Sequence, residues 1–152
     1  MSANARIQEL GITLPEVAKP AGAYVPAVQS GNLVFTAGQI PLVEGKLIAT
    51  GKVGKEISVE EAKSIARVCA LNAVAAIKGV VGDLDRVKKV VKVVGFVASA
   101  PEFTQQPAVI NGASELLEQI FGDSGIHARS AVGVAVLPLD APVEVELVVE
   151  IA

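Results

Sequence analysis

The C-terminal stretch of the chain constrains its fold most, because apolar and polar residues alternate there with the two-residue period of a β-strand. Two such segments lie within residues 128–147 and flank a turn rich in Pro and Asp, which predicts a β-hairpin. Arg129 opens the first strand, and Glu144 and Glu146 lie in the second, among valines that would ordinarily exclude charge. A buried charge without a partner is costly. We therefore expect Arg129 to pair with Glu144 or to hold the carboxylate of a small ligand.

The composition predicts subunit interfaces. The chain has 152 residues, of which 51% are hydrophobic, and a mean hydropathy of +0.53, which is more apolar surface than a monomer of this size needs to hide. The apolar runs 68–77 and 90–98 are interrupted by Asn72 and Lys92 and fall short of the roughly 18 residues that a membrane span needs. The N-terminus lacks a basic-then-apolar signal pattern. We expect a cytoplasmic protein that does not associate with membranes.

Charge and cysteine content exclude several classes of function. A net charge of -3 and an isoelectric point near 5.2 make a nucleic-acid partner improbable, because phosphate binding depends on Lys and Arg. The chain has one cysteine, Cys69, which rules out an internal disulfide and a cysteine-based zinc site. Its helix-core spacing predicts a buried, unreactive thiol.

The longer elements predict an α+β domain spanning residues 1–152. A capping box from Ser58 to Glu61 opens a helix that runs to about Gly79, and a second helix fits residues 107–121. Between them, the dense valines of residues 87–99 predict a centrally buried strand.

Shorter elements precede these. Residues 1–18 read as a leader or edge-covering segment with a short helix at 5–10, residues 24–40 as two strands around a Ser-Gly-Asn turn, and residues 47–49 as a small strand. The order of elements predicts a mixed sheet with both long helices on one face. The opposite face, still rich in valine, must then be buried by another copy of the chain.

Several short motifs, in this order and spacing, carry a resemblance to a known family. They are Tyr24-Val25, the stretch from Ser30 to Pro41, Asn111, Ala128-Arg129-Ser130, Leu137-Pro138 and the stretch from Val143 to Glu146. With them the chain resembles the Rid family (YjgF/YER057c/UK114, or L-PSP endoribonuclease-like) from about Lys19 to Ala152. The resemblance implies a chorismate-mutase-like fold, assembled as a homotrimeric barrel with three clefts between subunits.

The resemblance also implies an activity, the hydrolytic deamination of reactive 2-imino and 2-enamino acids to 2-oxo acids and ammonia. Arg129 would hold the substrate carboxylate, since its planar fork makes two parallel hydrogen bonds, and Glu144 would orient the attacking water. Gly38 would let the backbone approach the ligand, Tyr24 would wall the pocket from the neighbouring subunit, and Asn111 would contact the substrate. The imine is already an activated electrophile, so no metal or organic cofactor is expected.

Two positions depart from the family pattern, and alternatives stay open. Ala131 stands where many deaminating members have a cysteine, and Ala37 where they have a hydroxyl residue.

The chain could instead be a non-catalytic binder or sensor of small carboxylates, or, less in keeping with its acidity, an endoribonuclease or translation inhibitor. The alternative for Arg129 is a structural ion pair with Glu144 or Glu146. His127, the single histidine, lies too close to Ser124 and Ser130 in sequence for a convincing catalytic triad.

Overall fold

A computed structural model describes residues 1–152. Three helices and seven strands form the domain, joined by single turns of 3₁₀-helix at Leu84–Arg86, Gly122–Gly125 and Pro138–Asp140. The elements are α1 (Ala3–Glu9), β1 (Ala27–Ser30), β2 (Leu33–Thr36), β3 (Leu42–Val43), β4 (Lys46–Leu47), α2 (Val59–Val81), β5 (Val87–Ala98), α3 (Gln106–Phe121), β6 (Ala128–Val134) and β7 (Val143–Ile151).

Five strands form one mixed sheet in the order β1-β2-β7-β5-β6. The pair β5–β6 is parallel and the other pairs are antiparallel. Along β7 the residues alternate strictly between buried and half-buried, because successive side chains point to opposite faces. The buried set packs under α2 and α3 and comprises Val143, Val145, Leu147, Val149 and Ile151. The predicted α+β fold, with a mixed sheet and the long helices on one face, is confirmed.

The predicted hairpin between residues 128 and 147 is wrong. β6 and β7 lie on opposite sides of β5, which hydrogen-bonds to both. The physical reason is that β5 is a long, valine-rich central strand whose backbone groups need partners along both edges. The segment between β6 and β7 therefore crosses over β5, and the two strands never meet.

The two long helices form where their apolar periodicity predicts them. On α2 the residues of the inner face are all buried: Ala62, Ile65, Ala66, Cys69, Ala73, Ala76 and Ile77. The Ser58 side chain caps the helix by accepting a hydrogen bond from the Glu61 backbone N–H at 3.2 Å. By length and composition alone α2 is apolar enough to cross a membrane, a property that the shorter apolar runs had not suggested. Its apolar side is covered by the sheet and α3, as in the core helix of a folded domain.

The helices α2 and α3 approach each other most closely at Gly112. A Cβ atom added there would overlap the backbone carbonyl of Lys63. Since that obstacle is backbone, it cannot be relieved by turning a side chain. Gly112→Ala should push the helices apart and lower the free energy of unfolding by about 2 kcal/mol, or roughly 5 °C in Tm. Thermal unfolding by circular dichroism measures the shift.

Gly79→Ala is the matched control for this substitution. Gly79 is also inside a helix, but its added Cβ would meet only the Cγ2 of the exposed Val17, at 3.2 Å. We expect a change within about 1 kcal/mol, because alanine's higher helix propensity offsets the mild crowding. Equal shifts for both variants would show that the Gly112 crossing is not the tight point.

The N-terminal residues form the short helix that the sequence predicts, with slightly different bounds. α1 begins two residues earlier than predicted, because the Ser2 side chain caps it by accepting from the Ala5 backbone N–H at 3.1 Å. The Asn4 side chain donates to Asp83 at 2.7 Å and the Asn4 backbone N–H donates to Asp85 at 3.0 Å. Hydrogen bonds from the Asp85 backbone N–H and from Asn4 lower the pKa of Asp83. The segment is thus tied to the entrance of β5.

The other face of the sheet carries no helix. Its apolar members include Val28, Phe35 and Val132, which are 52%, 44% and 43% exposed. Glu144 and Glu146 lie on this same face of β7. We call it the open face.

Candidate active site

Glu144 lies on the open face beneath the loop that follows β2. That loop is fixed to β7 by two backbone hydrogen bonds between Gln39 and Val145, at 2.8 and 3.0 Å. The bridge presses Gly38 onto the Glu144 carboxylate, so that a Cβ atom at Gly38 would lie only 2.5 Å from Glu144 Oε2. A side chain at this position would push the Glu144 carboxylate aside, so glycine lets the loop backbone lie against the carboxylate.

The environment of Glu144 disfavours its charged form. Burial raises the pKa of the Glu144 carboxyl above its ordinary value, and the negative charge of Glu146 raises it further. Neither cause involves a hydrogen bond to the carboxylate. A half-buried carboxylate whose pKa is shifted toward neutrality is suited to take a proton from a water molecule.

Tyr24 and Gly38 line one small pocket, of about 80 Å³. The Tyr24 hydroxyl accepts a hydrogen bond from the Ala21 backbone N–H at 3.3 Å, which holds the ring over the pocket. Leu139 closes another side from a strained backbone, with φ +59°. Tyr24 thus lines a pocket with the Gly38 of its own chain, and its role as a wall for the neighbouring subunit's site stays a prediction. We call Tyr24, Gly38 and Glu144 the glutamate group.

Arg129 lies on the edge strand β6, over α3. Its Nη1 donates to Ser114 Oγ at 3.1 Å and its Nη2 donates to the Pro107 carbonyl at 3.1 Å. Asn111 lies between Pro107 and Ser114 in sequence. The spacings of four and three residues put Pro107, Asn111 and Ser114 on one face of α3. We call Asn111 and Arg129 the arginine group.

The partners of Arg129 are all neutral. The two ion pairs of the chain are Lys63–Glu115 and Lys88–Glu150, at 3.2 and 3.3 Å. Of the five guanidinium N–H donors, two are used by Ser114 and Pro107. Three donors and a full positive charge remain for a ligand.

The expected pairing of Arg129 with Glu144 or Glu146 is not found within one chain. Arg129 is in register with Val93 of β5, on the helix side, whereas Glu144 is in register with Phe96, on the open face. Two strand spacings and three residues of rise separate their Cα atoms by about 14 Å. The predicted site residues therefore form two groups on opposite faces of the sheet.

Sequence reasoning missed the residues around Arg129. His127 contacts neither Ser124 nor Ser130, but approaches Ser114 Oγ with Nε2 at 2.9 Å and the Gly125 carbonyl with Nδ1 at 2.6 Å. The one available signal was the position of Ser114, seven residues after Pro107 and hence on the same helix face.

Cys69 is buried, as predicted. Its Sγ donates to the Val143 carbonyl at 3.5 Å. Burial, and secondarily the charge of Glu144, raise the pKa of this thiol well above its ordinary value. Since the thiolate is the reactive form of cysteine and the raised pKa disfavours it, we interpret Cys69 as a core residue and not as a nucleophile.

Comparison with known proteins places these residues in a wider context. Residues 4–151 match the family model described as "YjgF/chorismate_mutase-like, putative endoribonuclease". Protein TCP17 of Trypanosoma cruzi is 48% identical over 148 residues, covering 97% of this chain and 92% of that protein. A 2-iminobutanoate/2-iminopropanoate deaminase of Salmonella typhimurium is 35% identical, covering 84% and 86%. A crystal structure of a protein of unknown function from Agrobacterium tumefaciens superposes with a TM-score of 0.90 at 46% identity, covering 99% and 92%.

Proposed function

This chain belongs to the YjgF/chorismate-mutase-like (Rid) family, and we propose that it hydrolyses reactive 2-imino and 2-enamino acids to 2-oxo acids and ammonia. The observation that carries the proposal is the state of Arg129, a partly buried cation with three free donors and no carboxylate partner in its own chain. A guanidinium fork in that state matches the carboxylate that all these substrates share. The deaminase names of relatives about 35% identical support the same reaction class.

Under this proposal, Glu144 activates the attacking water. In the proposed reaction a water molecule adds to C2 of the imine while one of its protons passes to Glu144 and the C=N π electrons pass to nitrogen, which is protonated. The C2–N bond then breaks as the C2 hydroxyl loses its proton to form the 2-oxo group, and the protonated nitrogen leaves as ammonia. The imine carbon is already electrophilic, so holding the water and the substrate in reacting geometry supplies most of the help required. The close approach of Gly38 to Glu144 holds the carboxylate directly against the loop backbone.

A complete site needs more than one chain under this proposal. The arginine group and the glutamate group lie on opposite faces of one sheet, so a single substrate reaches both only if a second copy contributes one of them. Two features support such contacts: β6 is an edge strand with an unpaired outer edge, and the open face exposes Val28, Phe35 and Val132. We propose a homotrimer with three sites between subunits.

The assembly should be visible in dilute solution. At micromolar concentration, light scattering coupled to size exclusion should return three times the 15.5 kDa chain mass. Val132→Glu, which would place a charge on the open face beside β5, should shift the mass toward the monomer and lower activity together. A stable monomer that retains full activity would contradict the intersubunit site.

Ammonia release tests the function directly. An amino-acid oxidase or a pyridoxal-phosphate dehydratase generates the 2-imino acid in place, and the purified chain should accelerate ammonia release beyond the spontaneous rate. If the chain binds 2-oxobutanoate without accelerating release, it is a carboxylate sensor. If the chain neither binds 2-oxobutanoate nor accelerates ammonia release, but cleaves RNA, the proposal fails.

A further inference from the structure

We propose that Ser114 and His127 are positioning residues that hold the Arg129 guanidinium in the orientation needed for the substrate carboxylate. The inference rests on the proposed function, because it gives Arg129 a ligand to orient. It concerns a chain of three hydrogen bonds, from the Gly125 carbonyl through His127 and Ser114 to Arg129, which we call the Ser–His relay.

The direction of each hydrogen bond in the relay follows from its first member. The Gly125 carbonyl can only accept, so the proton of the 2.6 Å contact belongs to His127 Nδ1. In the neutral ring Nε2 is then an acceptor, and the Ser114 hydroxyl donates to it at 2.9 Å. The lone pairs of Ser114 Oγ are thereby turned toward Arg129 Nη1, which donates at 3.1 Å.

Two members of the relay, Ser114 and Gly125, are fixed to the same helix. Ser114 is a residue of α3. Gly125 belongs to the turn that ends α3, and an added Cβ there would overlap the backbone carbonyl of Leu117. The carbonyl that aligns His127 is thus held against α3 by backbone contact. The relay therefore transmits the geometry of a rigid helix to a long side chain that would otherwise rotate freely.

A second contact completes the clamp. The Pro107 carbonyl accepts from Nη2 at 3.1 Å, two helical turns before Ser114 on the same face of α3. With one hydrogen bond on each terminal nitrogen, rotation of the guanidinium about its last bonds is blocked. Because the relay presents an acceptor rather than a negative charge, it orients the cation without neutralising it. The full charge stays available to a carboxylate.

Paired substitutions separate the relay from mere packing. Ser114→Ala removes the acceptor, whereas Ser114→Thr keeps it. His127→Asn keeps a donor for Gly125 but is too short to reach Ser114, whereas His127→Gln keeps an acceptor near the position of Nε2. Alanine and asparagine should weaken 2-oxobutanoate binding about tenfold, as expected for a disordered hydrogen bond to a charged group. Threonine and glutamine should restore most of it, and KM should change more than kcat.

The decisive measurement is made in the Arg129→Ala background. If the relay acts through Arg129, Ser114→Ala has no further effect on 2-oxobutanoate affinity there, so the two losses are not additive. Additive losses, or full affinity in both Ser114→Ala and His127→Asn, would overturn the inference while leaving the proposed function standing.

A measurement without ligand tests directly whether the relay holds the Arg129 guanidinium in place. In wild-type protein the NMR signals of the Arg129 Nη groups should be resolved by slow rotation, and Ser114→Ala should merge them. If wild-type protein neither binds 2-oxobutanoate nor turns over imines, the proposed function fails and the inference fails with it as a statement about substrate. Merged signals already in wild-type protein would overturn the positioning itself.

Discussion

Replacing Arg129 by lysine should reduce kcat/KM for 2-imino acids by about 10²-fold or more while the assembly stays intact. An ammonium is a compact point charge, whereas the guanidinium donates to Ser114 Oγ, to the Pro107 carbonyl and still presents three donors to a ligand. Lysine cannot make both protein contacts and a bidentate contact to a carboxylate at once. Steady-state ammonia release and size exclusion, measured on one preparation, check both halves of the prediction.

Arg86→Lys is the matched control. Arg86 also donates through both terminal nitrogens to main-chain oxygens, those of Val81 and Ala152, at 3.1 and 3.2 Å. It lies at the start of β5, away from both groups of site residues. A comparable loss of activity in the two variants would mean that arginine contributes to the fold and not to substrate binding. Near-parental hydrolysis by the Arg129→Lys variant would show that only a point charge is needed.

The helices could be predicted well because their signals are local. The buried face of α2 repeats at the helical period, and Ser58 and Gly82 mark its ends. The predicted end at about Gly79 fell two residues short, because Val81 is still buried and the positive φ of Gly82 stops the helix. A local pattern predicts a local structure, and little outside it interferes.

Strand pairing could not be predicted in the same way. β6 and β7 each show the alternation of a strand, and a short polar connection between such segments ordinarily forms a hairpin. What separates them is the central strand β5, which lies earlier in the chain and whose backbone groups need partners along both edges. Alternation tells which face of a strand is buried, but it does not tell which strand lies beside it.

The candidate site shows the same limit. Arg129 and Glu144 stay the proposed catalytic residues, but the expectation that they meet within one chain depended on the predicted hairpin. The contact between Gly38 and Glu144 depends on the bridge from Gln39 to Val145, and the relay depends on where β6 passes α3. Such contacts join residues distant in sequence, for which only the resemblance offered any guide.

Glu144→Gln should slow imine hydrolysis by about 10²-fold or more, in line with the usual contribution of a general base. Glutamine keeps the size of the side chain under Gly38 but cannot take a proton from water. Binding of 2-oxobutanoate, which needs Arg129 and no activated water, should survive. Calorimetry on the variant measures the binding and ammonia release measures the turnover. Glu150→Gln is the control, since Glu150 lies on the same face of β7 and pairs with Lys88.

The pH dependence identifies the same carboxylate independently. Only the deprotonated form can act as a base, so activity should fall as the pH drops through the raised pKa of Glu144. Glu146→Gln removes the like charge that contributes to this shift, so the acidic limb of the profile should move to lower pH. Glu144→Gln should lack that limb altogether.

Two results would remove Glu144 from the mechanism as proposed. If binding of 2-oxobutanoate is lost together with turnover, the carboxylate holds the partner subunit's arginine in place and does not direct water. If turnover persists and the acidic limb is unchanged, another group takes the proton, and backbone groups beside Gly38 must orient the water. If Glu144→Gln hydrolyses imines slowly, binds 2-oxobutanoate normally and lacks the acidic limb of the pH profile, Glu144 is the base. A purely structural role of this side chain would not separate ligand binding from proton transfer in that way.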